Sequence, residues 1–375
     1  MVWMSPAPIG SRMKLFACQN CSQTLFFENI TCVRCGHWLG YLPDSTTMTS
    51  LEDEGDGRWR PLAAPDQMFR FCANAAHDAC NWMVPLSSPH PYCKACRLNR
   101  TVPDLSVPAN VEAWRKLEAA KHRLVYGLLR LGLPVAAKWE DAGIGLAFDF
   151  LADAPHHGPE APKVMTGHAD GLITINVAEA DDAQREKVRR TMGEPYRTLL
   201  GHFRHEIGHF YWDRLVRDGT DSDGGDRLGT FREMFGDERE DYGEALARNY
   251  NEGPPTDWQT TFVSTYAASH PWEDFAETWA HYLHIVDTLE TAHVHGLHLK
   301  PRNILDPTAP ADVAIDFDAY RQRDFDSLID AWLPLTYAVN SLNRSMGQPD
   351  LYPFVLAPRV IDKLRFVHDL IRQAA

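Results

Sequence analysis

The chain has 375 residues, 44 % of them hydrophobic and 11 % aromatic, which suits more than one folded domain and argues against long disorder. Its 51 acidic and 37 basic residues leave a formal net charge of −14, which disfavours a broad surface for nucleic acid or an anionic membrane. The best membrane candidate, Leu124 to Ala137, is short and interrupted by Arg130 and Pro134, so no transmembrane helix is expected.

The start of the chain lacks the sustained apolar segment of a secretory signal. Residues 1–12 read as a loose extension, with Met13 an alternative start. All eight cysteines lie between Cys18 and Cys96. Paired cysteines confined to one region of a cytoplasmic protein, the expected setting here, point to metal rather than disulfides.

The first cysteine set, Cys18-x2-Cys21-x10-Cys32-x2-Cys35, consists of two tight knuckles. Brought together by a hairpin, they supply four thiolates in the tetrahedron that zinc prefers. Residues 13–43 are therefore expected to be a zinc ribbon, and the polar, acidic stretch 44–67 a linker. A second set follows in residues 68–101: Cys72, Cys80, Cys93 and Cys96, with one standard knuckle and one wide pair. His77 and His90 lie close enough for a ligand exchange. Both sites are expected to be structural, and spacing alone leaves open whether the sets stay separate or interleave.

After Pro103 and Pro108, the apolar spacing predicts a helix from Val111 to Leu131. "LAFDFLA" and "GLITINVAE" read as strands, the second opening on the hairpin dipeptide Asp170-Gly171. From Asp181 the pattern turns helical and runs through "PYRTLLGHFRHEIGHFYWDRLV", with a loop over Asp218 to Asp226. Later helices are expected at Trp272 to Leu289, Phe317 to Leu342 and Pro358 to Gln373. The fold class is α+β: an N-terminal zinc-ribbon region, then a helix-rich, zincin-like domain over 102–375 with a small sheet.

The chemistry centres on "HEIGH". His205 and His209 are four apart, so on a helix they differ by about 40° and share a face, with Glu206 beside them. That spacing lets two imidazoles hold one zinc ion while the glutamate accepts a proton from water. The competing reading is a buried amphipathic helix rich in Leu, Phe and Ile. A third ligand is needed. Leu215 stands where a third histidine of the extended pattern would be, and Arg239 where a ligand aspartate would be. The remaining source is "HPWEDFAETWAHYLH", in which Glu273 is the preferred ligand and Asp274 and Glu277 the alternatives. A second carboxylate four residues after the ligand could orient a histidine through its other ring nitrogen. Ala276 is small enough for close helix packing, and Ile207 and Gly208 fit tight packing against a neighbour. His202, His281 and His284 read as neighbours rather than ligands.

These residues carry a resemblance. "HEIGH" with the later "EDFAE" is similar to the glutamate-zincin branch of metallopeptidases. With "MKLFACQNC", "CGHWLGYLPD" and "HFRHEIGHFYWDRL", the chain from Met13 onward resembles a bacterial family of zinc-binding metallopeptidases with an N-terminal zinc ribbon. The resemblance implies His205, His209 and Glu273 as zinc ligands and Glu206 as general base. Tyr266, seven residues before Glu273, matches a tyrosine that stabilises the oxyanion in related peptidases. The expectation is a peptidase with three zinc ions, one catalytic and two structural, acting on a peptide or protein without membrane or nucleic-acid partners. Near "GLITINVAE" a strand would form the cleft wall and pair with an extended peptide. Two other readings stay open: a catalytically idle descendant, and an adaptor that binds protein or nucleic acid through its ribbon.

Overall fold

The computed structural model describes residues 15–153, 164–192, 198–219, 226–300 and 312–374, with side chains 188–192 left undescribed. The proposed N-terminal extension and start, and most of the loop from Asp218 to Asp226, lie outside the described residues. The chain divides into two compact units, one running to Arg97 and including Glu290–Leu297, the other formed by Leu98–Leu289 and His298 onward.

In the first unit, β1 (Phe16–Ala17) and β2 (Thr24–Leu25) form a short hairpin. A five-stranded antiparallel sheet follows in chain order: β3 (Trp38–Leu42), β4 (Thr47–Asp53), β5 (Trp59–Pro61), β6 (Phe69–Phe71) and β7 (Met83–Pro85). Leu42, Leu51, Phe69 and Met83 make its core, with Trp59 and Phe71 packed against them. The expected linker over 44–67 is thus not a linker, since it supplies two central strands. Its polar look misleads because Thr49 and Ser50 are fully buried with their hydrogen bonds made inside the unit. Thr49 Oγ1 accepts from Ala63 N (3.0 Å), and Ser50 N donates to Gln19 Oε1 (2.7 Å).

The second unit holds a four-stranded sheet in the order β10-β11-β9-β8, where β8 is Asn99–Thr101, β9 Ala147–Leu151, β10 Gly167–Ala169 and β11 Leu172–Asn176. β8 lies within the stretch assigned to the second cysteine region, yet it pairs in parallel with β9. Asp170 (φ 47°) and Gly171 (φ 77°) form the two-residue turn between β10 and β11, both in the left-handed conformation a tight hairpin requires. β11 is an inner strand with a partner on each side, so it cannot offer its edge to a peptide; the edge strands of this sheet are β10 and β8.

The helices are α1 (Pro108–Arg130), α2 (Asp182–Met192), α3 (Leu199–Trp212), α4 (Arg227–Phe235), α5 (Tyr242–Glu252), α6 (Pro271–Val294), α7 (Phe325–Ser345) and α8 (Pro358–Ala374). A further strand pair, β12 (His298–Leu299) and β13 (Val313–Ala314), precedes α7. Pro108 opens α1, as its fixed φ and missing N–H allow. α7 starts later than expected because Asp324 caps it, accepting from the backbone N–H groups of Asp326 and Ser327. No helix among the described residues is long and apolar enough to cross a membrane.

Two contacts set α3 in place. Phe203 packs on Phe148 and Phe150 of β9, with ring centroids 5.8 and 6.2 Å apart. On another side, a Cβ on Gly208 would lie 2.9 Å from Ala276 Cα and 3.2 Å from Ala276 O, both backbone atoms of α6. Only glycine lets the two helices approach this closely. Gly208→Val should therefore lower stability by about 1–3 kcal/mol through overpacking and weaken metal binding at the neighbouring histidines. Thermal unfolding and zinc content check this, and an unchanged melting temperature would contradict the close-packing account.

Candidate metal centre

Thr198 starts α3 by accepting a hydrogen bond from Gly201 N (3.0 Å), and the helix is buried from Phe203 to Trp212. His205 and His209 therefore point inward, where the first turn of α6 meets them. His205 Nε2 lies 3.0 Å from Glu273 Oε2, His209 Nε2 lies 3.5 Å from that oxygen, and the two nitrogens are 3.2 Å apart. In a tetrahedral site with ligand bonds of about 2.0–2.1 Å, neighbouring ligand atoms sit about 3.3 Å apart. The donor set therefore fits zinc.

The surroundings of each donor favour the same role. Glu273 is buried, and among the described residues its Oε2 has no hydrogen-bond donor. Its other oxygen, Oε1, accepts from the Tyr242 hydroxyl at 2.6 Å, which leaves Oε2 for the histidines. His205 Nδ1 is bonded to Glu277 Oε1 (2.8 Å), and Glu277 Oε2 accepts from Ser264 Oγ (2.7 Å). Burial disfavours charge on His205, yet the Glu273 and Glu277 carboxylates beside it hold its pKa well above the ordinary histidine value. Burial also disfavours charge on Glu277, but the hydrogen bond and charge of His205, with His281 and the Ser264 hydroxyl, together bring the carboxyl down to about 2. His209 packs against Trp272, with ring centroids 3.8 Å apart and the planes tilted by 36°. Glu277→Gln should weaken zinc binding at this centre about 10- to 100-fold, because the histidine loses its anionic partner. Chelator competition measures the effect, and unchanged affinity would refute the orienting role.

Of the alternatives for the third position, Glu277 holds the far nitrogen of His205, and Asp274 turns away into a buried pair with Lys363 (2.6 Å). Glu206 is 5 % exposed and lines a cavity of about 380 Å³ together with His202, Tyr266 and Tyr250. The Tyr266 ring lies 5.7 Å from that of His205. Burial and the nearby Glu273 charge raise the Tyr266 pKa well above its ordinary value, keeping the hydroxyl a donor. His281 and His284 also line the cavity. His281 Nδ1 is bonded to Tyr352 (2.6 Å) and His284 Nδ1 accepts from Arg204 (2.6 Å), so neither joins the cluster.

The eight cysteines gather as two separate sets, Cys18, Cys21, Cys32, Cys35 and Cys72, Cys80, Cys93, Cys96. Sulfur separations of 3.5, 3.6 and 3.7 Å recur across them. Such distances are far from a disulfide bond and close to the roughly 3.8 Å expected between thiolates bound to one zinc. A short 3-10 helix, Ala73–His77, fills the wide spacing between Cys72 and Cys80. His77 is exposed, and neither it nor His90 belongs to the cluster.

Sequence reasoning missed Tyr242, Ser264, Trp272, and the Glu179 that binds His202. Trp272, preceding Glu273, was the one legible signal, since an aromatic there is well placed to cover the histidines.

A small sheet, a His-Glu-x-x-His helix and a glutamate from a second helix are the parts of a zinc-hydrolase centre. Residues 110–370 match the family described as "Putative zinc-binding metallo-peptidase", and the chain belongs to that family. Residues 15–107 match a zinc-ribbon domain. Uncharacterised proteins of Mycobacterium tuberculosis and Mycobacterium bovis are 42 % identical over 363 residues, covering 97 % of this chain and 96 % of theirs. No solved structure matches the chain.

Proposed function

We propose that the chain is a zinc-dependent peptidase whose catalytic ion is held by His205 Nε2, His209 Nε2 and Glu273 Oε2. The observation that carries this reading is the convergence of those three atoms within 3.5 Å, with Glu273 Oε2 lacking any donor among the described residues. Zinc bound there supplies Lewis acidity, polarising a carbonyl oxygen and making water acidic near neutral pH.

The protein's own residues supply the rest. Glu206, on the cavity side of the histidine pair, takes a proton from the attacking water and returns it to the leaving amine. Tyr266 offers its hydroxyl to the oxyanion that develops on the substrate carbonyl. Glu277 and Tyr242 hold His205 and Glu273 in register, so little reorganisation accompanies the reaction. The cavity of about 380 Å³ beside Glu206 has room for a substrate side chain, which supports a peptide or protein substrate. Two further zinc ions in the cysteine sets stabilise the ribbon and take no part in cleavage.

Digestion of a mixed peptide library by the purified, zinc-loaded protein tests the reading. Cleavage lost to a chelator and restored by zinc is expected. No cleavage by fully loaded protein would favour a non-catalytic, binding role.

A further inference from the structure

His202 lies one helical turn before Glu206, so the two side chains are neighbours on one face of α3. Its Nε2 is 3.6 Å from Glu206 Oε1, within ion-pair range though too long for a hydrogen bond. Among the described residues no side chain donates a hydrogen bond to Glu206. The opposite ring nitrogen, Nδ1, is bonded to Glu179 Oε2, and Glu179 Oε1 accepts from Thr166 Oγ1. Glu179 stands in a short turn, Val177–Ala180, directly after β11, and Thr166 directly precedes β10. A line of contacts thus runs from the sheet through Glu179 and His202 to Glu206, along the wall of the cavity.

This arrangement differs from that of the metal-facing groups. Glu277 holds the far nitrogen of His205, whereas Glu179 holds the far nitrogen of a histidine that faces the base. A glutamate side chain has three rotatable bonds, and Glu206 must keep its carboxylate toward the cavity to collect and return a proton. We propose that His202, anchored by Glu179, is a positioning residue that fixes the Glu206 carboxylate for proton transfer. The inference rests on the peptidase reading, and its novelty lies in giving the base a dedicated support tied to the sheet.

The test uses the full-length, zinc-loaded protein and a peptide it cleaves. His202→Gln should lower kcat about 10- to 100-fold with KM and zinc content unchanged, and Glu179→Gln should do the same more weakly. Adding His202→Gln to Glu206→Gln should bring no further loss, since the histidine acts through the glutamate. Independently of activity, Glu206→Gln should shift the His202 imidazole nitrogen resonances in a labelled sample. Cleavage that depends on Glu206 but not on His202 would overturn this inference alone, as would resonances blind to Glu206→Gln. Cleavage indifferent to Glu206→Gln would overturn the peptidase reading and this inference with it.

Discussion

Glu206→Gln should leave the metal content unchanged and reduce peptide cleavage by about 100- to 10,000-fold, the range that loss of a general base commonly costs. The substitution keeps the size and shape of the side chain and removes only its capacity to accept a proton. None of the three converging donor atoms belongs to Glu206, so zinc binding does not depend on it. The carboxylate is nearly buried, and glutamine at the same place still fills the same volume beside His202. Loss of turnover without loss of metal or stability would therefore isolate the chemical role. Zinc analysis and thermal unfolding accompany the kinetic measurement. Unchanged cleavage would mean that another residue, or a contaminant, performs the reaction.

The local rules explain why so much of this centre was legible. Histidines four apart, and glutamates four apart at 273 and 277, describe helix faces, and a face is a short-range property of sequence. Small residues at 208 and 276 indicated where those faces could meet, and the close approach of α3 and α6 is seen there. Asp170-Gly171 specified its own turn by its backbone preferences. The failures have an equally physical origin. α5 spans only 11 residues and buries only Ala245, too short a stretch to stand out as a core-facing helix, and Tyr242 at its start is hidden with it. α4 is only nine residues long and gave too brief a pattern. β4 was hidden because its buried hydroxyls are satisfied by partners distant in the chain, a fact that composition does not carry. His202 was judged a mere neighbour because its significance depends on Glu179, 23 residues earlier.

Metal counting yields the second large effect, and the two kinds of centre should respond differently. The intact protein should hold three zinc ions, and Cys93→Ser should leave two and disrupt the first unit locally, around the second cysteine set. Cys93 lies 3.7 Å from Cys80, and its backbone N–H donates to Cys72 Sγ at 3.4 Å, so it joins both arms of the second cysteine set. Structural zinc in small cysteine-rich modules contributes an apparent 10–16 kcal/mol, roughly as much as the whole stability of a small domain. A unit of this size, even with Leu39, Tyr41, Leu51, Phe69, Trp82 and Met83 buried in it, does not offset the loss of such a contribution. His205→Ala should also leave two ions, but with the ribbon intact, since among the described residues that histidine groups with His209 and Glu273 and with no cysteine. Zinc stoichiometry separates neither variant from the other, whereas near-ultraviolet dichroism does: the part contributed by the first unit's tryptophans, Trp59 and Trp82 among them, should be lost for Cys93→Ser and kept for His205→Ala. A Cys93→Ser protein with its full zinc complement and an unaltered spectrum would refute the structural role of the second cysteine set. A His205→Ala protein that keeps all its zinc would remove the histidine centre from the count, and with it the basis for catalysis.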